Sequence, residues 1–142
     1  VGMPDAYAGE VPVAYLTLRP GASTTEEELL AFARASINEP PALPRRLFVV
    51  EQLPMTAVGK LYKPSLRQDC TRRLLLEVLQ SEPIAALEVR EKPGREVGHL
   101  ELSTADEGST REARQRIAAA LDRYLLAFEW AIPRPMTAGA AS

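Results

Sequence analysis

The chain has 142 residues, of which 46% are hydrophobic and 25% are charged, and its formal net charge is -2. This composition is sufficient for a buried core and excludes a disordered tail or a collagen-like repeat. A single cysteine excludes an intramolecular disulfide and a CxxC-type zinc or redox site, and it favours a reducing compartment. No segment approaches the roughly 18 consecutive apolar residues of a membrane helix, and no secretory signal pattern is present. We therefore expect a cytoplasmic protein.

Charge does not divide the chain into an acidic and a basic half. Residues 1–70 carry seven basic and eight acidic residues, and residues 71–142 carry ten and eleven. A global nucleic-acid footprint is therefore absent. Locally, seven basic residues but only two acidic ones lie between Arg45 and Arg73, and this stretch is suited to contact with phosphates.

The first half of the chain predicts a hairpin, a helix and a further strand. Val1–Asp5 is typical of a strand that ends in a turn, and period-two alternation over Val11–Leu18 predicts a largely covered strand. Thr25 and Glu28 form a capping box at the start of a helix. The short apolar run Leu47–Val50 predicts a buried strand.

A fixed loop and a second helix follow. The segment Glu51–Lys63 has no regular period and contains three residues that shape loops, namely Pro54, Thr56 and Gly59. Because Pro64 suits the first turn of a helix, we expect a helix from there to about Leu79. Its apolar face includes Cys70, which we interpret as a core residue and not as a nucleophile.

The second half predicts a hairpin and a long helix. Alternation over 87–90 and 99–102, around a turn at Lys92–Arg95, predicts two antiparallel strands. A second capping box, Ser109 with Glu112, begins a helix whose apolar face continues to Phe128, with a frayed tail from Pro133. The fold class is therefore α+β: a small mixed or antiparallel sheet with packed helices, followed by a strand-strand-helix extension.

We expect the remaining aromatic and ionisable residues to have structural and not catalytic roles. His99, the one histidine, is expected to face solvent or a sheet edge. Trp130 is expected to cap the last helix. Four aromatic residues are spaced as core residues and not as a base-stacking platform, namely Phe32, Phe48, Tyr124 and Phe128.

One segment carries a family resemblance. The phrase Leu53–Lys63, read LPMTAVGKLYK, follows the strand at Leu47–Val50 and resembles the last core motif of the adenylate-forming superfamily. That superfamily comprises AMP-forming acyl-CoA synthetases, adenylation domains and luciferases. The order of the upstream elements, from Val1–Asp5 with Gly9 and Glu10 through the capped helix, also resembles the small C-terminal domain of these enzymes. The resemblance covers residues 1–69.

The resemblance implies an activity in two half-reactions. A carboxylate attacks the α-phosphate of ATP to give an acyl-adenylate and pyrophosphate, after which the small domain rotates and CoA captures the acyl group. Lys60 stands where the family has a lysine that serves the first step, and Pro54, Thr56 and Gly59 support it. A lysine ammonium suits this position because it neutralises charge where two anions meet.

The resemblance also implies partners and a second binding surface. Lys63, Arg45, Arg46 and Arg67 are candidates for the CoA phosphates, because ammonium and guanidinium groups favour such sites. A solvated basic face is the structural alternative. The large N-terminal domain of the same polypeptide is expected to hold most of the ATP and acid site, including Mg²⁺ with ATP. No metal site is predicted in this chain.

The domain organisation and two other functions stay open. We expect a C-terminal small domain over residues 1–69 and, over 70–142, an extension of helix, hairpin and long helix. The extension pads the small domain, contacts the large one, or forms an interface in a homo-oligomer. A free-standing α+β module that binds a ligand or a protein is the alternative function, and nucleic-acid binding through Arg45–Arg73 is a third.

Overall fold

The computed structural model describes residues 1–131 and has two three-stranded sheets and three α-helices, an α+β fold as predicted. In the first sheet, β1 (Gly2–Asp5) pairs antiparallel with β2 (Gly9–Leu16), and β2 pairs parallel with β3 (Arg46–Val49). Helix α1 (Glu26–Ser36) connects the two parallel strands, and a 3-10 turn at Pro40–Ala42 precedes β3. The central strand is therefore β2.

The second sheet has the same pairing pattern. Strand β4 (Ile84–Lys92) pairs antiparallel with β5 (Arg95–Leu102), and β5 pairs parallel with β6 (Ala127–Trp130). Helix α3 (Glu107–Asp122) connects β5 with β6. Each sheet forms one unit together with its connecting helix, and α2 (Lys63–Val78) lies between the two units in the sequence. The predicted hairpin is confirmed, and the described part of the extension also contains β6, a strand that the sequence did not predict.

Helix α1 begins at the predicted capping box. The Thr25 hydroxyl accepts from the Glu28 amide at 3.2 Å, and the Glu28 carboxylate accepts from the Thr25 amide at 2.9 Å. These two bonds satisfy amides that a helix start otherwise leaves unpaired. The Glu26 carboxylate also accepts from the Leu47 amide at 3.1 Å, which ties the first turn of α1 to β3.

Helix α2 contributes to two hydrophobic cores. Its Cys70 and Leu74 pack against β1, β2 and β3, where Cys70 is fully buried as predicted. Leu75 of α2 and Leu79, which directly follows the helix, belong to the second core and pack with α3 and the second sheet. Gly98 on β5 permits this approach, because a Cβ at that position would lie 3.0 Å from a methyl group of Leu75. Both sheets thus rest on one helix.

The predicted cap of α3 is wrong. The helix begins at Glu107, and its N-cap is Asp106, whose carboxylate accepts from the Ser109 amide at 2.8 Å. Ser109 lies inside the first turn, where its hydroxyl donates to Asp106. Aspartate is as good an N-cap as serine, and it stands three residues earlier.

The predicted end of α3 is also wrong. The helix ends at Asp122, and Leu125 has a φ of 53°, a left-handed conformation that reverses the chain. Phe128 and Trp130 therefore lie on β6, where their rings meet edge to face at 5.4 Å. Trp130 does not cap a helix.

Two further predictions are corrected, and one lies outside the described residues. Phe32 is 71% exposed and not a core residue. His99 lies on β5, the central strand of its sheet, and its side chain is mostly buried instead of facing solvent or an edge. The tail predicted from Pro133 falls outside residues 1–131. None of the helices described here combines the length and the apolar character needed to cross a membrane.

Candidate functional site

The loop between β3 and α2 closes as a narrow hairpin. Met55 and Leu61 form an isolated antiparallel bridge, and the Tyr62 amide donates to the Pro54 carbonyl at 2.8 Å. Inside this bridge, the Thr56 amide donates to the Lys60 carbonyl at 2.7 Å. These bonds fix the backbone on both sides of the tip.

Thr56 and Gly59 form the tip of the hairpin. The Thr56 hydroxyl accepts from the Lys60 amide at 3.0 Å, and the Thr56 carbonyl accepts from the Gly59 amide at 2.9 Å. Gly59 has a φ of 77°, a left-handed conformation that other residues adopt only with strain. Each residue of the predicted motif therefore has a structural role: Pro54 closes the base, Thr56 braces the tip and Gly59 makes the turn.

Lys60 lies directly after the turn glycine and is exposed. Within residues 1–131, its side chain has no hydrogen bond or ion pair. Several apolar side chains around it are also exposed, with Val58 80% and Met55 54% accessible. The hairpin therefore presents a cation within an apolar surface.

A groove lies between this loop and the start of α2. It encloses about 510 Å³ and is lined by Pro54 and Met55 from the loop, Asp69 and Arg73 from α2, and Tyr15 from β2. The Asp69 carboxylate accepts from the Tyr15 hydroxyl at 2.8 Å and from Nε of Arg73 at 2.6 Å. Burial, followed by the bond to Asp69, raises the pKa of Tyr15 well above its ordinary value.

Two arginines lie over the ring of Phe48, next to this network. The guanidinium of Arg73 is 4.7 Å and that of Arg46 is 5.2 Å from the ring centroid, which are cation-π distances. Arg46 also donates to Glu77 at 2.7 Å. Glu77 is bonded to Arg46, the first residue of β3, whereas Asp69 lines the same groove as Val50, which directly follows β3. Helix α2 therefore runs antiparallel to β3.

The structure separates the predicted basic residues into two groups. Lys60 and Lys63 lie at the loop and the first position of α2, and Arg67 is exposed one turn further along the helix. Arg45 and Arg46 lie at the opposite end of β3, directly before the strand and at its first residue. Of the two, Arg46 is already paired with Glu77.

The network of Tyr15, Asp69 and Arg73 was missed at the sequence level. Its signal is the spacing of Asp69, Arg73 and Glu77, which recur every four residues and therefore share one face of α2. Alternating charges at this spacing are typical of a solvated helix face. Only the three-dimensional fold places this stripe against Tyr15 and Phe48.

Elsewhere, the described residues offer no metal site. Within residues 1–131, no cluster of three or more histidine, cysteine, aspartate or glutamate side chains is suited to hold a metal ion. Nδ1 of His99 lies 3.7 Å from the Glu129 carboxylate, and its Nε2 is buried without a hydrogen-bond partner. Burial raises the pKa of the Cys70 thiol to about 11, so this thiol is poorly ionised.

The part of the chain that contains most of the loop is similar to a known protein family. Residues 1–60 match the family described as the AMP-binding enzyme C-terminal domain. The marinolic acid–CoA ligase of Pseudoalteromonas sp. (strain SANK 73390) is 36% identical over 132 residues, which are 92% of this chain and 20% of that protein. The acetyl-coenzyme A synthetase of Pyrobaculum arsenaticum is 38% identical over 100 residues, 68% of this chain and 15% of that protein.

A third relative matches about half of the chain. The long-chain-fatty-acid–CoA ligase of Bacillus subtilis (strain 168) is 40% identical over 70 residues, 49% of this chain and 12% of that protein. The chain thus spans about a fifth or less of the length of the relatives it matches. No solved structure matches it significantly.

Proposed function

Because residues 1–60 belong to the family of AMP-binding enzyme C-terminal domains, we propose that this chain is the C-terminal part of an AMP-forming acyl-CoA ligase. A carboxylate attacks the α-phosphate of ATP to give an acyl-adenylate and pyrophosphate, and the thiol of CoA then displaces AMP to form the thioester. The large N-terminal domain of the same polypeptide supplies most of the ATP and acid site. Mg²⁺ enters with ATP, and no residue of this chain is assigned to it.

The exposed position of Lys60 on a braced hairpin carries the proposal. A lysine with no partner in its own domain, held by backbone bonds at both sides of the turn, is suited to reach a site on another domain. There its ammonium neutralises the charge that accumulates between the carboxylate and the α-phosphate. The ammonium acts here as a compact positive charge, so this role requires no proton transfer.

The apolar residues around Lys60 support docking of the loop. Val58 and Met55 are more than half exposed, and Leu61 is 40% exposed. An apolar group next to a functional cation is typical of a surface that another domain covers. Docking excludes water from the ammonium and strengthens its interaction with the two anions.

For the second half-reaction, Lys63 and Arg67 are assigned to the phosphates of CoA. They lie one helical turn apart at the exposed start of α2, close in sequence to Lys60. Arg45 is exposed as well, but it lies at the far end of β3 and would contact a different part of the ligand. Arg46 would first have to leave Glu77.

The proposal includes an organisation and a location for the chain. Residues 1–69 form the small domain, and residues 70–142 form an extension on the same body, with α2 contributing to both cores. A reduced, buried Cys70 suits the cytoplasm. The acid is selected by the large domain.

Carboxylate-dependent exchange between ATP and pyrophosphate by the full-length parent protein tests the role of Lys60. Against a panel of acids, we expect the parent to catalyse exchange and Lys60→Ala to lose it by ~10²-fold or more. The same variant should still convert a supplied acyl-adenylate and CoA to the thioester. Lys63→Ala should show the reverse pattern, with normal exchange and slower thioester formation.

Arg34→Ala is the matched control, because it removes an exposed cation from α1, far along the chain from the loop. It should leave both half-reactions unchanged. Exchange at the parental rate in Lys60→Ala would contradict the role of Lys60 and favour a binding module. Equal loss of both half-reactions in Lys60→Ala would mean that the lysine supports the fold and not one chemical step.

A further inference from the structure

Strand β4 presents a long free edge. It spans nine residues, and within residues 1–131 it pairs only with β5. Its outer edge therefore carries backbone amides and carbonyls that no neighbouring strand in the described part of the chain satisfies. A second strand pairs readily with such an edge unless side chains prevent it.

The side chains of β4 form a self-complementary pattern. Glu88 and Arg90 alternate with Val89, and both charged residues lie on the same face of the sheet. If a second β4 pairs antiparallel with Val89 opposite Val89, each Glu88 lies opposite an Arg90 of the other copy. Centring the pair on Glu88 would place the two Glu88 side chains opposite each other. Centring it on Arg90 would place the two Arg90 side chains opposite each other, although it would also pair Glu88 with Lys92. The Val89 register pairs Glu88 with Arg90 twice and opposes no like charges.

The ion pair between these two residues does not oppose such pairing. Arg90 donates to the Glu88 carboxylate at 2.7 Å within one chain, and both side chains are at least 60% exposed. An ion pair this exposed contributes little to stability, so Arg90 can exchange it for a pair with Glu88 of a second copy at small cost.

A groove with both polar and apolar lining residues lies beside the same edge. It encloses about 410 Å³ between α2 and β4 and includes Leu76, Ile84 and Leu87. Leu76 is 45% exposed, although it lies next to a strand with a hydrophobic inner face. A two-fold axis perpendicular to the sheet keeps α2 of both copies on one side, so each copy would cover the groove of the other.

We propose that β4 is a homodimer interface: two copies of this chain pair antiparallel through β4, centred on Val89, and form one continuous six-stranded sheet. The free edge supplies the backbone bonds, the pairs of Glu88 with Arg90 fix the register, and Leu76 adds apolar contact. Lys60 takes no part in the interface, so this inference and the proposed ligase function stand or fall separately.

Sedimentation equilibrium of the 142-residue chain across a range of concentrations tests the interface. We expect a monomer–dimer equilibrium in the parent chain. Glu88→Arg and Arg90→Glu should each weaken the dimer at least ~10-fold, because like charges then face each other twice. An equimolar mixture of the two variants should form a heterodimer, since positions 88 and 90 are then both basic in one chain and both acidic in the other.

The mixing experiment separates the interface from effects within one chain, which mixing cannot repair. Arg34→Glu, a charge reversal on α1, is the matched control and should dimerise like the parent. A parent chain that stays monomeric at ~1 mM overturns the proposal. So does a dimer that both reversals leave intact, or a pair of variants that remain monomeric when mixed.

Discussion

The two units of the molecule have the same topology but differ in what they bury. Each consists of a hairpin, a helix and a strand parallel to the second strand of the hairpin. Helix α1 of the first unit buries only Ala33. Helix α3 of the second buries Ala113, Ile117 and Leu121, each with no accessible surface.

This difference in burial corresponds to a difference in the roles of the two units. The first unit leaves Phe32, Met55 and Val58 largely exposed and carries the hairpin of Lys60. Apolar residues left on a surface of this kind are typical of a contact with another domain. The second unit keeps most of its large apolar residues inside, with the exception of Leu125, and its helix stabilises the body. Equal topology therefore does not imply equal roles.

The largest expected effect contrasts the two helices directly. Ile117→Ala should lower the free energy of unfolding by ~3 kcal/mol, because it leaves a cavity where no surface is accessible. Phe32→Ala removes a larger side chain but should change stability by less than ~0.5 kcal/mol, since Phe32 is 71% exposed. Urea unfolding of both variants measures this contrast. Similar losses in the two would mean that α1 is as well packed as α3.

A smaller effect concerns the groove beside the loop. Tyr15→Phe removes the hydroxyl bonded to Asp69 and should lower stability by ~1 kcal/mol at pH 7. Because folding raises the pKa of Tyr15, its stabilising contribution is complete below the unfolded pKa of ~10 and is lost as the pH rises above it. The variant should therefore lose stability less steeply than the parent in alkali.

Tyr7→Phe is the control for that measurement. Tyr7 is 94% exposed, so removing its hydroxyl should leave the free energy of unfolding at pH 7 unchanged. Denaturant unfolding of the parent and of both variants at several pH values between ~8 and ~11 gives the stability and its alkaline slope. An alkaline slope that is the same in the parent and in Tyr15→Phe would contradict the assignment to Tyr15.

The smallest expected effect decides which residue caps α3. Asp106→Ala should lower the melting temperature by ~3 °C, and Ser109→Ala should lower it less. The amide of Ser109 and then its hydroxyl donate to Asp106 and lower the pKa of this carboxyl. Its contribution is therefore present above the unfolded pKa and is lost as the pH falls through the folded pKa. Asp106→Asn should keep the cap at pH 7 and abolish this acid dependence. If Ser109→Ala has the larger effect, serine is the cap after all.

Local patterns predicted most of the first unit. The capping box of α1, the strand at β3 and the loop motif depend on neighbours in the sequence, and each forms as predicted. The prediction that Phe32 is a core residue was wrong, because helical spacing identifies an apolar face but does not show whether another element packs on it. The network on Asp69 was missed for the complementary reason, since its partner Tyr15 lies 54 residues away.

The end of the second unit could not be predicted in this way. The chain reverses at Leu125, a residue that rarely adopts a positive φ, so no glycine or asparagine marks the end of α3. The apolar spacing of the helix also continues in phase to Phe128, which lies on β6. From the apolar pattern alone, a short strand that follows a helix is then indistinguishable from another helical turn.

The helix shared by the two cores has a mechanical consequence. Leu74 belongs to one core and its neighbour Leu75 to the other, and successive residues point about 100° apart around a helix. Any rotation of α2 about its own axis would unseat both side chains at once. Packing in both cores thus opposes rotation of the helix, and the hairpin of Lys60 is joined directly to its first residue, Lys63.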